Sequence, residues 1–223
     1  MWLDVLIPCV SYAGRLARGL ARWEEADDVL VVTEPDDLET RRLCAEAGVA
    51  CLGTWVFRAD GAAFNKAAAL DAGLAVLDKV ARAEVLSRRW VLLADADVEP
   101  PRGWRAVVEA GAEPGFLLGA RRVQEGGGLL PGGLAGFFLA FAADDPAAQA
   151  RPLLGSWYSA AGYDTELVER WPEDRRVVLP LDLVHRGEPV VDWCGVGRRA
   201  EVEAMLGRRD LCGWRAERLG ARI

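Results

Sequence analysis

The sequence predicts an α/β fold, a mostly parallel sheet flanked by helices with a small antiparallel extension. Three observations carry this. Through the first hundred residues, short runs of Val, Leu and Ile alternate with stretches whose apolar residues recur at helical spacing. The segments between the runs are long enough to return the chain to the same end of a sheet, so successive strands lie parallel and both faces need a helical cover. Past Pro100-Pro101, a glycine-rich stretch, Gly126 to Gly133, separates two further strand-like runs, the pattern of an antiparallel pair.

Val5 to Val10 is the opening strand. Arg15 to Trp23 follows as a helix, with Leu16, Leu20 and Trp23 on one face. Val29 to Thr33 is a buried strand, and Pro35-Asp36-Asp37 opens a helix over Leu38 to Ala47, with acids in its first turn and Gly48 to close it. Val49 to Leu52 is a third strand. After a loop holding Trp55, Phe57 and Gly61, Ala63 to Val80 forms a helix whose Ala67, Leu70, Leu74, Leu77 and Ala81 trace one stripe. Trp90 to Ala94 is a fully apolar strand running into acids. Trp104 to Ala110 is a short helix, Phe116 to Val123 a strand, Leu134 to Ala142 another, and Asp144 to Pro152 a loop or short helix. Arg198 to Ile223 reads as helical and carries seven arginines against four acids.

These elements fit one domain over 1–223, with a ligand-binding half at 1–100, a second half at 101–197 and the arginine-rich segment at 198–223. A chain of 223 residues buries well over half of its unfolded surface. With 52% hydrophobic and 27% charged residues it is neither disordered nor fibrous. The net charge of −7 disfavours a general polyanion binder. Five scattered cysteines with no CxxC pair argue against a disulfide framework or a zinc site. The longest apolar run, Leu134 to Ala143, is too short for a membrane span, and the start carries no basic segment. The expectation is a cytoplasmic protein with no membrane span.

The chemistry centres on Asp95-Ala96-Asp97. If the strand persists through Ala96, both carboxylates project the same way at its carboxyl end, where a parallel sheet opens to ligand. Paired carboxylates suit Mn²⁺ or Mg²⁺, which completes its shell with water and substrate phosphate. One strand earlier, Asn65-Lys66 opens the long helix, and a helix amino end with a lysine suits an anion. Lysine is rare here, at positions 66 and 79 alone.

Taken in order, these residues resemble a glycosyltransferase of the family 2 type, with the GT-A (Rossmann-like) fold. The resemblance rests on Ile-Pro-Cys-Val after the first strand, Val-Thr-Glu after the second, Phe-Asn-Lys, Asp-Ala-Asp, and Gly-Tyr-Asp followed by Glu-Asp, across roughly residues 3 to 190. It implies an enzyme that moves a sugar from a nucleoside-diphosphate sugar, a UDP-sugar first, to an acceptor hydroxyl, with Mn²⁺ or Mg²⁺ and inversion of configuration. It makes Pro8, Val10 and Glu34 nucleoside contacts, Asn65 and Lys66 contacts near ribose and pyrophosphate, and Asp95 and Asp97 the metal and diphosphate site. His185, the single histidine, becomes a third metal ligand. Gly155 to Asp164 corresponds to the acceptor loop, and Asp174, then Glu173 and Asp164, are candidates for the base that deprotonates the acceptor. Trp157, Tyr158 and Trp193 are aromatic candidates for acceptor stacking.

The acceptor stays open among a glycan, a small molecule and modified DNA. A phage-type enzyme acting on hydroxymethylated pyrimidines in DNA would use Arg121-Arg122 and the arginine-rich end to line a basic cleft. A nucleotidyltransferase is a further alternative, although the segment after the first strand, Pro8 to Arg15, lacks the glycine-rich basic loop such enzymes use. A non-catalytic nucleotide-binding module is the third.

Overall fold

The computed structural model describes residues 1–62, 64–80, 89–124, 134, 136–149, 153–155 and 163–186. The glycine-rich turn, the aromatic candidates Trp157, Tyr158 and Trp193, and the arginine-rich segment lie outside the described residues. The strands are β1 (Trp2–Pro8), β2 (Asp28–Thr33), β3 (Ala50–Gly53), β4 (Arg89–Ala94), β5 (Val98–Glu99), β6 (Leu117–Gln124), β7 (Phe138–Ala142) and β8 (Arg176–His185). The helices are α1 (Ala13–Leu20), α2 (Leu38–Ala47), α3 (Lys66–Val80), α4 (Trp104–Gly111) and α5 (Tyr163–Val168).

All eight strands form one sheet in the order β3-β2-β1-β4-β7-β6-β8-β5. β3, β2, β1 and β4 run parallel, as do β6 and β8. The antiparallel pairings are β4 with β7, β7 with β6, and β8 with β5. Of the two antiparallel strands, β7 therefore sits inside the sheet, between β4 and β6, and β5 lies at its edge beside β8. Because β7 reverses direction twice over, the carboxyl ends of β1, β2, β4, β6 and β8 share one edge.

β8 is a strand that periodicity alone conceals, because Pro180 breaks its run of apolar residues. The structure absorbs the proline as a bulge, where Ala120 pairs with Leu179 but Arg121 with Asp182. On either side, Leu179, Leu181, Leu183 and His185 are buried in strict alternation.

Both faces of the sheet are covered, as expected for parallel strands. Leu3, Val5 and Ile7 of β1 meet Leu16, Leu20, Trp23, Trp104 and Val108 on one side. Leu6 and Val32 meet Leu70, Leu74 and Leu77 of α3 on the other, with Phe141 and Trp171. Each such side chain contributes about 1.5–3 kcal/mol when fully buried. α3 lies so close to the sheet that a Cβ at Gly73 would stand 2.4 Å from Leu6 Cδ1. α2 keeps its expected bounds, with Asp37 accepting from the Thr40 amide at its start and Gly48 left-handed at its end, φ 68°. Among the described residues, no helix is long and apolar enough to cross a membrane.

Candidate functional site

β4 ends at Ala94, and the two aspartates lie beyond it on a turn closed by the Val98 amide on the Asp95 carbonyl, 3.2 Å. The strand does not persist through Ala96. The turn, rather than strand alternation, brings the carboxylates together. It is held by the Asp95 amide on Phe137 O, 3.2 Å, and the Arg186 amide on Asp97 O, 2.9 Å. The second bond links the turn to the end of β8, where His185 stands opposite Val98. Asp95, Asp97 and His185 thus offer one ligand atom each, all within 4.8 Å of one another.

Two carboxylates and an imidazole suit a divalent cation: the carboxylates suit Mg²⁺ or Mn²⁺, and the imidazole suits a first-row transition ion. His185 is buried, with Nε2 3.4 Å from Asp97 Oδ1. Three cations surround the cluster. Lys66, buried at the start of α3, pairs with Asp95. Arg15 Nη1 is 3.9 Å from Asp97 Oδ2, and Arg122 lies against His185. Burial pulls the Lys66 ammonium toward neutrality, but the Asp95 carboxylate and Tyr163 raise its pKa above the usual value. Lys66 therefore stays charged across any working pH. Its Nζ lies 5.3 Å from the Tyr163 ring centre, and burial raises the Tyr163 phenol in turn.

Asn65 caps α3. It is fully buried, and its Oδ1 accepts from the Ala68 amide at 3.1 Å, which starts α3 at Lys66 and not at Ala63. Pro8 closes β1 and Val10 follows it, both buried, with Glu34 just past β2 on the same edge. Arg58 pairs with Glu34, its Nε 2.5 Å from Oε1 and its Nη2 donating to Oε2 at 3.1 Å.

The loop after β1 is held by Asp37. Its carboxylate accepts from the Ser11 amide at 2.7 Å, the Thr33 hydroxyl at 3.1 Å and the Thr40 amide at 3.1 Å. Ser11 has φ 59°, a left-handed conformation unusual outside glycine, and Asp37 keeps it there. Burial pushes the Asp37 carboxyl up, yet these hydrogen bonds bring it below its ordinary value.

The three candidate bases separate. Glu173 and Asp174 form an exposed turn before β8, at the opposite end of that strand from His185. From Leu117, opposite Arg176, to Gln124, opposite His185, the ladder spans roughly 23 Å at about 3.3 Å per residue. Their adjacency to the site in the sequence motif is undone by the direction of β8. Asp164 lies on the site's edge, where Oδ2 accepts from the Gly136 amide at 3.0 Å and Oδ1 from the Thr165 amide at 3.0 Å. Gly136 precedes Phe137, which holds the Asp95 amide, and a Cβ at Gly136 would stand 2.6 Å from Asp164 Cβ. Arg15 and Arg58 carry no sequence signal, because arginine is abundant in this chain and neither lies in a motif, while Arg122 was expected with Arg121 in a basic cleft for DNA and not beside His185.

No protein-family model and no curated protein matches the chain. Solved structures do. Glucosyl-3-phosphoglycerate synthase from Mycobacterium tuberculosis, in complex with Mn²⁺, UDP and phosphoglyceric acid, aligns at TM-score 0.56 and 17% identity over 94% of this chain and 79% of that one. Its complex with Mn²⁺, UDP and glucosyl-3-phosphoglycerate gives 0.55 and 17% over 84% and 73%. TarS of S. aureus, residues 1–349, gives 0.54 and 12% over 83% of this chain and 60% of that one. These are GT-A type glycosyltransferases. The chain has the GT-A fold. At these identities the likeness extends to the fold, and the GT-A sheet is the frame on which the acidic turn and His185 meet.

Proposed function

We propose that this GT-A chain is a metal-dependent glycosyltransferase, moving a sugar from a nucleoside-diphosphate sugar, a UDP-sugar first, to an acceptor hydroxyl. The observation that carries the reading is the Asp95, Asp97 and His185 cluster on the edge that also bears Glu34 and Lys66. The complexes of the mycobacterial synthase with Mn²⁺ and UDP on the same fold support it.

Asp95, Asp97 and His185 would hold Mn²⁺ or Mg²⁺, which when bound neutralises the departing diphosphate. Lys66 orients Asp95 and adds a fixed positive charge. Pro8 and Val10 give the nucleoside an apolar wall, and Glu34, fixed by Arg58, accepts hydrogen bonds from it. Asp164 is the candidate base on this edge, and each of its oxygens keeps a lone pair free beside the backbone amide it already binds. Displacement assisted by a base inverts the anomeric configuration, which NMR of the product reads directly.

The test is nucleotide release from UDP-glucose, UDP-galactose, UDP-N-acetylglucosamine and GDP-mannose, with and without Mn²⁺. The unaltered chain turns over one of them in a Mn²⁺-dependent way. Asp95→Asn with Asp97→Asn abolishes this, and undiminished Mn²⁺-dependent turnover in that double variant would falsify the proposal.

A further inference from the structure

Arg122 is the cation at this site with no carboxylate of its own. Its neighbour Arg121 faces outward to Asp182 at 2.7 Å, and Arg186 pairs with Glu99 at 2.7 Å. Arg122 faces inward, and among the described residues no ion pair joins it to an acid. Its Nη2 is 2.8 Å from Nδ1 and 2.9 Å from Nε2 of His185, its guanidinium lies 5.7 Å from the Phe137 ring centre, and its Nε is buried with no hydrogen-bond partner.

Counting donors gives this contact a consequence. A guanidinium carries only donors, and a neutral imidazole has a single acceptor nitrogen. Nη2 stands almost equally far from both ring nitrogens, so it lies over the face of the imidazole and takes neither in-plane position. A cation held by His185 in the ring plane therefore leaves Arg122 in place beside it, and that contact gives the guanidinium no acceptor. A half-buried guanidinium with a buried Nε lacking a partner needs an acceptor, because each unsatisfied buried donor costs about 1–3 kcal/mol. An oxyanion answers both the charge and the fork of donors.

We infer that Arg122 binds a phosphate or carboxylate group of the substrate, held beside the cation site over the face of His185. This deepens the proposed function and rests on the cation site in that proposal. The oxyanion has two sources, the donor's diphosphate and an acid group on the acceptor. Arg122 stands on β6, separated from β4 by β7, while Pro8, Val10 and Glu34 lie on the β1 and β2 side.

Arg122→Gln and Arg122→Lys, each checked for an unchanged melting temperature, test this by calorimetry with four probes: Mn²⁺ alone, UDP with Mn²⁺, inorganic phosphate with Mn²⁺, and glycerol 3-phosphate with Mn²⁺. Arg122→Gln is expected to bind Mn²⁺ alone severalfold more tightly, because a positive charge beside the cation site is gone. It is expected to bind an oxyanion roughly tenfold more weakly, the loss of one charge-assisted contact. Arg122→Lys keeps the charge without the fork and falls between. A loss confined to UDP assigns the diphosphate, and a loss for phosphate or glycerol 3-phosphate with UDP unchanged assigns the acceptor. Affinity for Mn²⁺ that falls or stays level, or oxyanion binding untouched in every arm, overturns the inference. A chain that binds no UDP at all defeats the proposed function, while the Mn²⁺ and phosphate arms still decide the role of Arg122.

Discussion

Replacing Asp174 with Asn is expected to leave sugar transfer within about threefold of the unaltered chain, although the sequence motif marks Asp174 as the leading base. The magnitude follows from the ladder. Over roughly 23 Å, a unit charge acts on the cation site with 332/(εr), about 0.2 kcal/mol in water and about 0.7 kcal/mol at an effective dielectric of 20. These correspond to changes of about 1.4-fold and 3-fold, and at 0.15 M salt a screening length of about 8 Å reduces both. Removing a general base instead costs about 10² to 10⁴ in rate. Asp164→Asn, on the site's edge, is expected to fall in that range. The assay is the initial rate of nucleotide release at saturating Mn²⁺ and donor, with melting temperatures measured in parallel. A hundredfold loss in Asp174→Asn at unchanged melting temperature would refute the placement of the base, and with it the argument from the direction of β8.

Lys66→Met removes the buried partner of Asp95. Because the Asp95 side chain keeps 23% exposure, the loss is expected near 1–3 kcal/mol and not at the full cost of a stranded charge. Mn²⁺ should restore much of it, and a destabilisation equal with and without Mn²⁺ in thermal melts would place the cation elsewhere. At the opposite edge, Arg89 bonds Asp4 at 2.6 Å and Asp78 at 3.0 Å with its own side chain 1% exposed. Arg89→Leu strands the buried Asp4 and is expected to cost about 3–5 kcal/mol in urea unfolding. Adding Asp4→Leu should recover most of that, with UDP affinity unchanged throughout. Asp37 supplies a pH dependence. Its folded pKa lies below the unfolded value of 3.8, so its stabilisation is complete above that value and lost as pH falls through the folded one. Acid unfolding curves of Asp37→Asn should show a smaller loss of stability below about pH 4 than the unaltered chain.

The sequence by itself determined what neighbours in the chain encode. The alternation of β1, α1, β2, α2, β3, α3 and β4 was legible because a repeat of 2 or 3.6 residues is a local property. Asp95, Asp97 and Lys66 were legible because they stand where such elements end, and His185 because the chain has no other histidine. Tertiary pairing decided the rest. The insertion of β7 between β4 and β6 depends on contacts between residues 20 to 52 positions apart, from Gly119 with Leu139 to Trp90 with Ala142, which no local repeat records. It is this insertion that turns β6 and β8 parallel to β4, carries His185 to the aspartates, and leaves Glu173 and Asp174 at the far edge. Burial then sorted residues that sequence treats alike. Arg121 and Arg122 are adjacent and chemically identical, yet strand alternation sends one to solvent beside Asp182 and the other to His185, and only the packed sheet says which face is which.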